Sequence, residues 1–184
     1  MKFFGNTALA IVASLCISSA WAEAINPAQT LPSVKAKDFS GSKITFPDNL
    51  TGASTYVLFL AMSETRDNGQ VQMDQLLEWQ SSIDESGGLP NNTKGYHYPV
   101  MESPPFFVKG IISSAMSEGY EGRVSPEQSG VLFVDDLTEF SAAAGLILDD
   151  QPTVVIVKSG KAVAQLKGTV NAQRLEELYL LLKP

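Results

Sequence analysis

The feature of this sequence that most limits its fold is a continuous apolar run, YVLFLA (56–61), which stops at a short polar segment and is followed by a helical pattern. A run of this length, rich in β-branched and aromatic residues, indicates a strand buried on both faces. From Asp67 to about Ile83 the spacing becomes that of a helix, with one face formed by Val71, Met73, Leu76, Leu77, Gln80 and Ile83. The sequence therefore predicts a polar turn between a buried strand and a helix.

The rest of the chain continues this alternation of strands and helices. Residues 23–42 are expected to form an irregular lead-in with short strands. After them the patterns predict a strand at KITF ending at Pro47, a strand at YHYPVM (96–101) that Pro99 makes short or irregular, and a helix opened by Pro104 and Pro105. A strand at VLFVDD (131–136) and a short helix at LTEFSAAAGLIL follow. The chain then forms a hairpin of PTVVIVK and KAVAQLKG, which turns at Ser159-Gly160, and a helix capped by Asn171. This order favours an α/β fold in which a mixed sheet, with an antiparallel hairpin at its edge, is covered by helices on both faces.

The first 22 residues have the pattern of a secretory signal peptide. Lys2 supplies a positive start, FFGNTALAIVASLCISSA is an apolar stretch, and Ala20-Trp21-Ala22 provides small residues before a cleavage point near Ala22. The rival interpretation is a membrane anchor, but Gly5, Asn6 and Thr7 interrupt the apolar run that a spanning helix needs. We therefore expect a signal peptide at 1–22, one domain at 23–184, a periplasmic or secreted location, and no membrane span after cleavage.

The only cysteine, Cys16, lies inside that N-terminal segment. Leu15 just before it and Ala13 upstream do not fit the pattern of a lipid-attachment site. Cleavage near Ala22 would leave a chain with neither disulfides nor thiol chemistry, although an exported protein could have both. The full chain has 13 basic and 20 acidic residues, a net charge of −7. This charge makes nucleic acid and anionic lipid surfaces poor partners.

Three segments together resemble the thioredoxin superfamily, in particular the redoxin branch that includes peroxiredoxins and exported thiol:disulfide interchange proteins. They are the lead-in and first central strand LPSVKAKDFSGSKITFPDNLTGASTYVLFLA, the second half VLFVDDLTEFSAAAGLILDDQPTVVIVKSGKAV, and the closing helix GTVNAQRLEELYLLL. The resemblance covers most of residues 31–184. It implies a thioredoxin-like three-layer sandwich.

The resemblance also implies where an active site would lie. FLAMSETRDNG (59–69) occupies the segment in which thioredoxins carry Cys-x-x-Cys and peroxiredoxins their attacking cysteine, but the dithiol positions fall on or near Glu64 and Asp67. Neither a carboxylate nor a hydroxyl can replace a thiolate in disulfide exchange or peroxide reduction. By the same resemblance Pro152 would be a cis-proline facing the site, with the backbone of Gln151 presented toward it. The implied binding groove consists of Ser63, Glu64, Thr65, Arg66, Asp67, Gln151 and Pro152.

A structural explanation of the same segment is available. Ser63 or Thr65 would cap the helix, and Glu64 and Asp67 would interact with the positive end of the helix dipole, each contributing about 0.3 to 1 kcal/mol. In the functional alternative, the turn forms a remodelled pocket that binds a partner peptide or a cation.

Other candidate residues have mainly structural interpretations. His97 is the only histidine, so no His-based metal cluster is expected, and it is interpreted as a half-buried polar residue. Asp135-Asp136 and Asp149-Asp150 are interpreted as solvated turn acids rather than a weak Ca²⁺ site. In SPPFF (103–107), Phe106 and Phe107 begin a helix whose stripe of Phe107, Ile111 and Ala115, with Val108, Ile112 and Met116, is expected to be buried.

Two functions are open on these observations, and a third, purely structural role is not separated from the first by the sequence. The first is noncovalent binding of an envelope or secreted protein or peptide partner, as an adaptor, chaperone-like protein or assembly factor. Extended peptides could pair with backbone groups beside Pro152 without covalent chemistry. The second is an antioxidant or redox-related enzyme that works without cysteine, through carboxylates around Glu64, Asp67 and Asp135; it rests on fold analogy alone. We favour binding, with no catalytic residue, no cofactor and no metal.

Overall fold

The computed structural model describes residues 22–50 and 52–183. The signal peptide expected at 1–22 lies outside the described residues up to residue 21 and stays a prediction. The elements in chain order are β1 (Glu23–Thr30), β2 (Val34–Asp38), β3 (Lys43–Phe46), β4 (Thr55–Leu60), α1 (Arg66–Glu85), β5 (Thr93–His97), β6 (Val100–Glu102), α2 (Phe106–Tyr120), a 3₁₀ turn (Pro126–Gln128), β7 (Gly130–Val134), α3 (Leu137–Ala144), β8 (Thr153–Lys158), β9 (Lys161–Lys167) and α4 (Ala172–Leu181).

The strands form two sheets that meet at the end of β5. One has the order β1-β9-β8-β4-β5, with β4 parallel to β5 and antiparallel to β8, and the other has the order β3-β2-β7-β6. Pro99, which has no N–H to donate, separates β5 from β6. Around it, the Tyr98 N–H donates to the Phe59 carbonyl at 3.0 Å, and the Val100 N–H donates to the Ala61 carbonyl at 2.9 Å. The mixed sheet with a C-terminal antiparallel hairpin is confirmed.

Residues 23–42, which were expected to form an irregular lead-in with short strands, contain the strands β1 and β2, and the first of these is longer than expected. Residues 23–30 form the eight-residue strand β1, which pairs antiparallel with β9 at the edge of the sheet. The register of β1 against β9 shifts between Ala24 and Gln29. Because of this shift, β1 lacks the regular alternation of buried and exposed residues by which a strand is predicted from sequence.

The core lies on both faces of β4, as its continuous apolar run predicts. Val57 and Phe59 belong to one cluster. It includes Leu76, Trp79 and Ile83 of α1, Leu178 of α4 and Leu182 at the end of α4. Leu58 and Leu60 belong to the other cluster, which includes residues of α3 and aromatic residues of the lead-in and of the turn after β5. The layers are therefore α1 and α4, the sheet, and α3.

The hairpin turn and the helix starts lie at residues whose side chains or backbone favour them. The turn residues Ser159 and Gly160 both have positive φ, 51° and 74°, the geometry of a tight two-residue hairpin. Asn171 caps α4, with its Oδ1 accepting from the Arg174 N–H at 2.9 Å. Asp136 caps α3 in the same way, through the Glu139 N–H at 2.8 Å. These caps fix where each helix starts.

The expected buried stripe of α2 is wrong. Phe106 is 91% exposed, Phe107 75% and Ile111 69%, and Tyr120 is the buried residue of this helix. Helical periodicity shows which residues share a face, but it does not show whether another element covers that face. Here α2 follows a short strand at the margin of the sheet, and its apolar side is left facing outward.

His97 is fully buried, so its assignment as half-buried is also wrong. Its ring stacks on Phe59, with centroids 4.3 Å apart, and meets Tyr120 edge-on at 5.5 Å. Its Nε2 lies 3.1 Å from Gln80 Oε1. Burial disfavours the imidazolium and lowers the pKa of His97 from 6.5 to about 3. The residue is a neutral part of the core.

This environment predicts a pH dependence of stability. Between pH 6.5 and pH 3 the unfolded chain binds a proton at His97 that the native chain excludes, so the free energy of unfolding falls as the pH is lowered. From pH 7 to pH 4.5 this group alone contributes a loss of roughly 2 to 3 kcal/mol, which His97→Phe should remove. Urea unfolding of both proteins at the two pH values measures the difference. Identical pH dependences would contradict the burial of a neutral His97.

Candidate functional site

The turn from β4 to α1 is organised by two hydroxyl side chains. Thr65 has an extended backbone, φ −117° and ψ 144°, and its Oγ1 accepts from the Asn68 N–H at 3.4 Å. Ser63 Oγ accepts from the Thr65 N–H at 3.1 Å and from Asn68 Nδ2 at 3.2 Å, and donates to the Thr65 carbonyl at 2.9 Å. Of the two residues expected to cap the helix, Ser63 and Thr65, the N-cap is Thr65. Asp67 is the acidic residue in the first turn of α1.

A buried glutamine holds the end of β4 against α1. Gln72 is fully buried, and its side-chain amide bonds both backbone groups of Met62. The Met62 N–H donates to Gln72 Oε1 at 2.9 Å, and Gln72 Nε2 donates to the Met62 carbonyl at 2.9 Å. Met62 lies beyond the end of β4, where it forms an isolated parallel bridge with Val100, and the Gln72 amide satisfies the N–H and carbonyl of Met62 itself. These bonds fix the position of the turn that follows. The sequence analysis missed Gln72, because one polar residue beside Met73 breaks the helical pattern without indicating a role.

A groove of about 820 Å³ opens between this turn, β6 and α2. Most of the side chains that line it are apolar. The described residues that line it are Ala61, Ser63, Glu64, Thr65, Arg66, Gly69, Gln70, Pro99, Val100, Met101, Glu102, Val108, Ile111, Ile112, Ala115, Met116 and Leu137. We call this groove, together with the exposed Phe106 and Phe107, the α2 surface.

The structure separates the residues of the expected groove into two groups. Ser63, Glu64, Thr65 and Arg66 line the groove, whereas Asp67 is exposed on the first turn of α1 outside that lining. Gln151 and Pro152 are also outside the lining. The sequence analysis placed the opening beside Pro152, but the opening that the structure shows lies on the side of α2.

The segment before Pro152 reaches α1 by a different contact. Asn68 Nδ2 donates to Asp150 Oδ1 at 2.8 Å, which joins this loop to the start of α1. The Gln151 N–H donates to Asp149 Oδ1 at 3.0 Å, so it is not presented to the groove. The cis bond expected at Gln151–Pro152 is wrong: the cis bond in the described residues is Phe46–Pro47.

The acidic residues at this end of the sheet are exposed or have structural partners. Glu64, Asp67 and Asp135 are exposed to solvent. Asp149 pairs with Lys167 at 2.5 Å, and Asp136 caps α3. Within residues 22–50 and 52–183, no group of three His, Cys, Asp or Glu side chains could hold a metal ion.

The described part of the chain has the thioredoxin-like fold, with a mixed sheet between helical layers and the strand–turn–helix unit at one end of the sheet. None of the helices in that part is long and apolar enough to cross a bilayer. No family model and no curated protein matches this sequence.

Solved structures resemble the chain over most of its length. A protein from Aquifex aeolicus VF5, whose proposed role is electron transfer, has 15% identity and a TM-score of 0.56, covering 84% of this chain and 97% of its own. BsSco, a member of the Sco family of cytochrome c oxidase assembly proteins, has 10% identity and a TM-score of 0.50, covering 85% and 92%. The thioredoxin domain of a thiol-disulfide oxidoreductase from Bacteroides vulgatus has 16% identity and a TM-score of 0.47, covering 83% and 92%. At such identities the similarity concerns the fold alone.

The role of Gln72 can be tested by its removal. Gln72→Leu would leave the N–H and carbonyl of Met62 buried without partners, and should lower the free energy of unfolding by about 2 to 4 kcal/mol. The matched control is Gln70→Leu on the exposed side of the same helix, which should change it by less than about 0.5 kcal/mol. Urea titration of both variants measures the difference. A similar small effect in both would contradict the anchoring role.

Proposed function

We propose that this protein is exported and acts by noncovalent binding of a protein or peptide partner at the α2 surface, as an adaptor, chaperone-like protein or assembly factor. The observation that carries the proposal is the exposure of Phe106, Phe107 and Ile111 beside an apolar groove. Contiguous exposed apolar surface rimmed by polar residues is typical of interaction sites on soluble proteins, and aromatic side chains contribute much of the binding energy at such sites.

The location of the surface supports this function. The β4–α1 turn lines one side of the groove. By the resemblance described above, this turn is the segment in which thioredoxins and peroxiredoxins carry their reactive cysteines. In this chain the turn carries Ser63, Glu64 and Thr65 instead. A chain without a thiol in this turn has no nucleophile for disulfide exchange there, so a partner would be held by contacts that do not involve a covalent bond.

Export rests on the N-terminal pattern, and the beginning of the domain is consistent with it. Strand β1 starts at Glu23, directly after the proposed cleavage point near Ala22. Cleavage there would remove Ala22, whose N–H contacts a carboxylate oxygen of Glu177, but would leave every residue of β1 in place. The cysteine-independent enzyme has no comparable support, because the carboxylates on which it depends are exposed.

Photo-crosslinking in cells that naturally make the protein tests this function. p-Benzoylphenylalanine in place of Phe107 should form a specific adduct with another protein, because this position lies at the exposed edge of the α2 surface. The matched control is the same substitution at Leu180, which is 54% exposed on α4 and does not line the groove. N-terminal sequencing of the recovered protein should begin at or near Glu23. The proposal fails if position 107 gives no adduct, or the same adducts as position 180.

A further inference from the structure

The chemistry of the α2 surface narrows the class of partner. We propose that it binds an amphipathic α-helix of a partner protein, with apolar side chains in the groove and lysine or arginine side chains at the rim. This inference rests on the proposed function, because it specifies the partner bound at the same surface.

The backbone beneath the groove offers little for an extended peptide to pair with. Strand addition needs a free strand edge. Strand β6, which forms the floor, is the outer strand of its sheet but has only three residues. Val100 pairs with Leu132 of β7, and its N–H donates to the Ala61 carbonyl on the other side, so the free edge is shorter than the strand itself. Beside Pro152 the strand is also occupied, since the Pro152 carbonyl accepts from the Gly168 N–H at 2.9 Å. Recognition by inserted side chains is therefore favoured over pairing of backbones.

The spacing of apolar residues on α2 matches a second helix. Phe107, Ile111 and Ala115 recur every four residues along the exposed flank, and Val108 and Ile112 repeat the same spacing along the wall of the groove. Helices pack by placing ridges of side chains four residues apart into the furrow between two such rows. A volume of about 820 Å³ has room for several side chains of a partner rather than one.

The charges around the groove select the polar side of the partner. Glu64 and Glu102 line it, with Arg66 as the basic residue among its described lining. Val134 pairs with Glu102, so Asp135 and Asp136, which follow directly and are exposed, lie at the same edge of the sheet. Lys109 of α2, whose Nζ donates to Ser103 Oγ at 3.0 Å, is a second basic group on this side of the molecule. The carboxylates still outnumber the basic groups, so the rim is predominantly negative and favours a cationic partner.

The same charges disfavour two other occupants. A second copy of this chain would bring a molecule with a net charge of −7, and the same acidic rim, against the first. An anionic bilayer would be repelled in the same way. A basic amphipathic helix satisfies both the apolar groove and the acidic rim.

Binding of model peptides to the purified full-length or processed protein tests this partner class. The probes are a fluorescein-labelled leucine/lysine amphipathic helix of about 18 residues, its leucine/glutamate counterpart, and a leucine/lysine peptide of the same composition in shuffled order. Fluorescence anisotropy at physiological salt should show binding of the first probe, and about tenfold weaker binding of the other two.

Matched variants locate the binding. Ile111→Ser should weaken binding of the leucine/lysine helix about tenfold, and the double variant Glu64→Gln with Glu102→Gln about threefold with a smaller salt dependence. Leu180→Ser, a similar loss of an exposed apolar side chain on α4, should leave binding unchanged. All these side chains are exposed, so the variants should keep the far-ultraviolet circular dichroism of the unmodified protein.

Several results would overturn the proposal. They are equal binding of the three peptides, no effect of Ile111→Ser, a dimer in light scattering that Ile111→Ser abolishes, or flotation of the protein with phosphatidylglycerol vesicles. If position 107 crosslinks to a partner while the peptides fail these criteria, the helix proposal is wrong and the proposed function stands. If neither a crosslink nor peptide binding is found, both are wrong.

Discussion

Strand β4 is the constraint on which the rest of the structure depends. It is covered on both faces and hydrogen-bonded to β5 on one edge and to β8 on the other, so its position cannot change without disturbing the core. Buried Gln72 then bonds the N–H and carbonyl of Met62, and the chain turns into α1 at a fixed point. The polar turn is therefore held at the end of the strand that is buried on both faces.

The same arrangement places the polar turn, β6 and α2 around one groove of the thioredoxin-like fold. The sheets hold the polar turn and β6, which forms the floor of the groove. Helix α2, which lies between β6 and β7 in the chain, supplies the apolar wall. Within α2 only Tyr120 is buried, and the aromatic and aliphatic side chains at its other end face outward. Burying such side chains releases roughly 25 cal/mol per Å² of apolar surface, which favours a partner that covers them. In the proposed function, the sheet positions the groove and the exposed side of α2 supplies the apolar surface that a partner would cover.

Much of the fold could be predicted from local patterns. The buried strand, the helix after it, the Ser159-Gly160 hairpin and the Asn171 cap all follow from residue spacing and turn chemistry within a few residues. Short strands were expected in residues 23–42, but the length of β1 could not be predicted, because its irregular register removes the alternation of an ordinary strand. The site was harder to predict. Ser63 to Arg66 could be selected from the strand–turn–helix pattern, but the exposure of α2 depends on which elements surround it. The full burial of His97 likewise depends on Phe59 and Tyr120, which are distant in sequence.

The central claim is that a partner binds at the α2 surface. Amide hydrogen exchange tests it most directly, by comparing this protein alone with its complex with the partner identified by crosslinking at position 107. The account predicts that exchange slows in residues 106–116 and in 99–102, with no change in β3 or α4, because covering the groove protects the backbone beneath it. Slower exchange confined to β1, β3 or α4, with α2 unchanged, would contradict it.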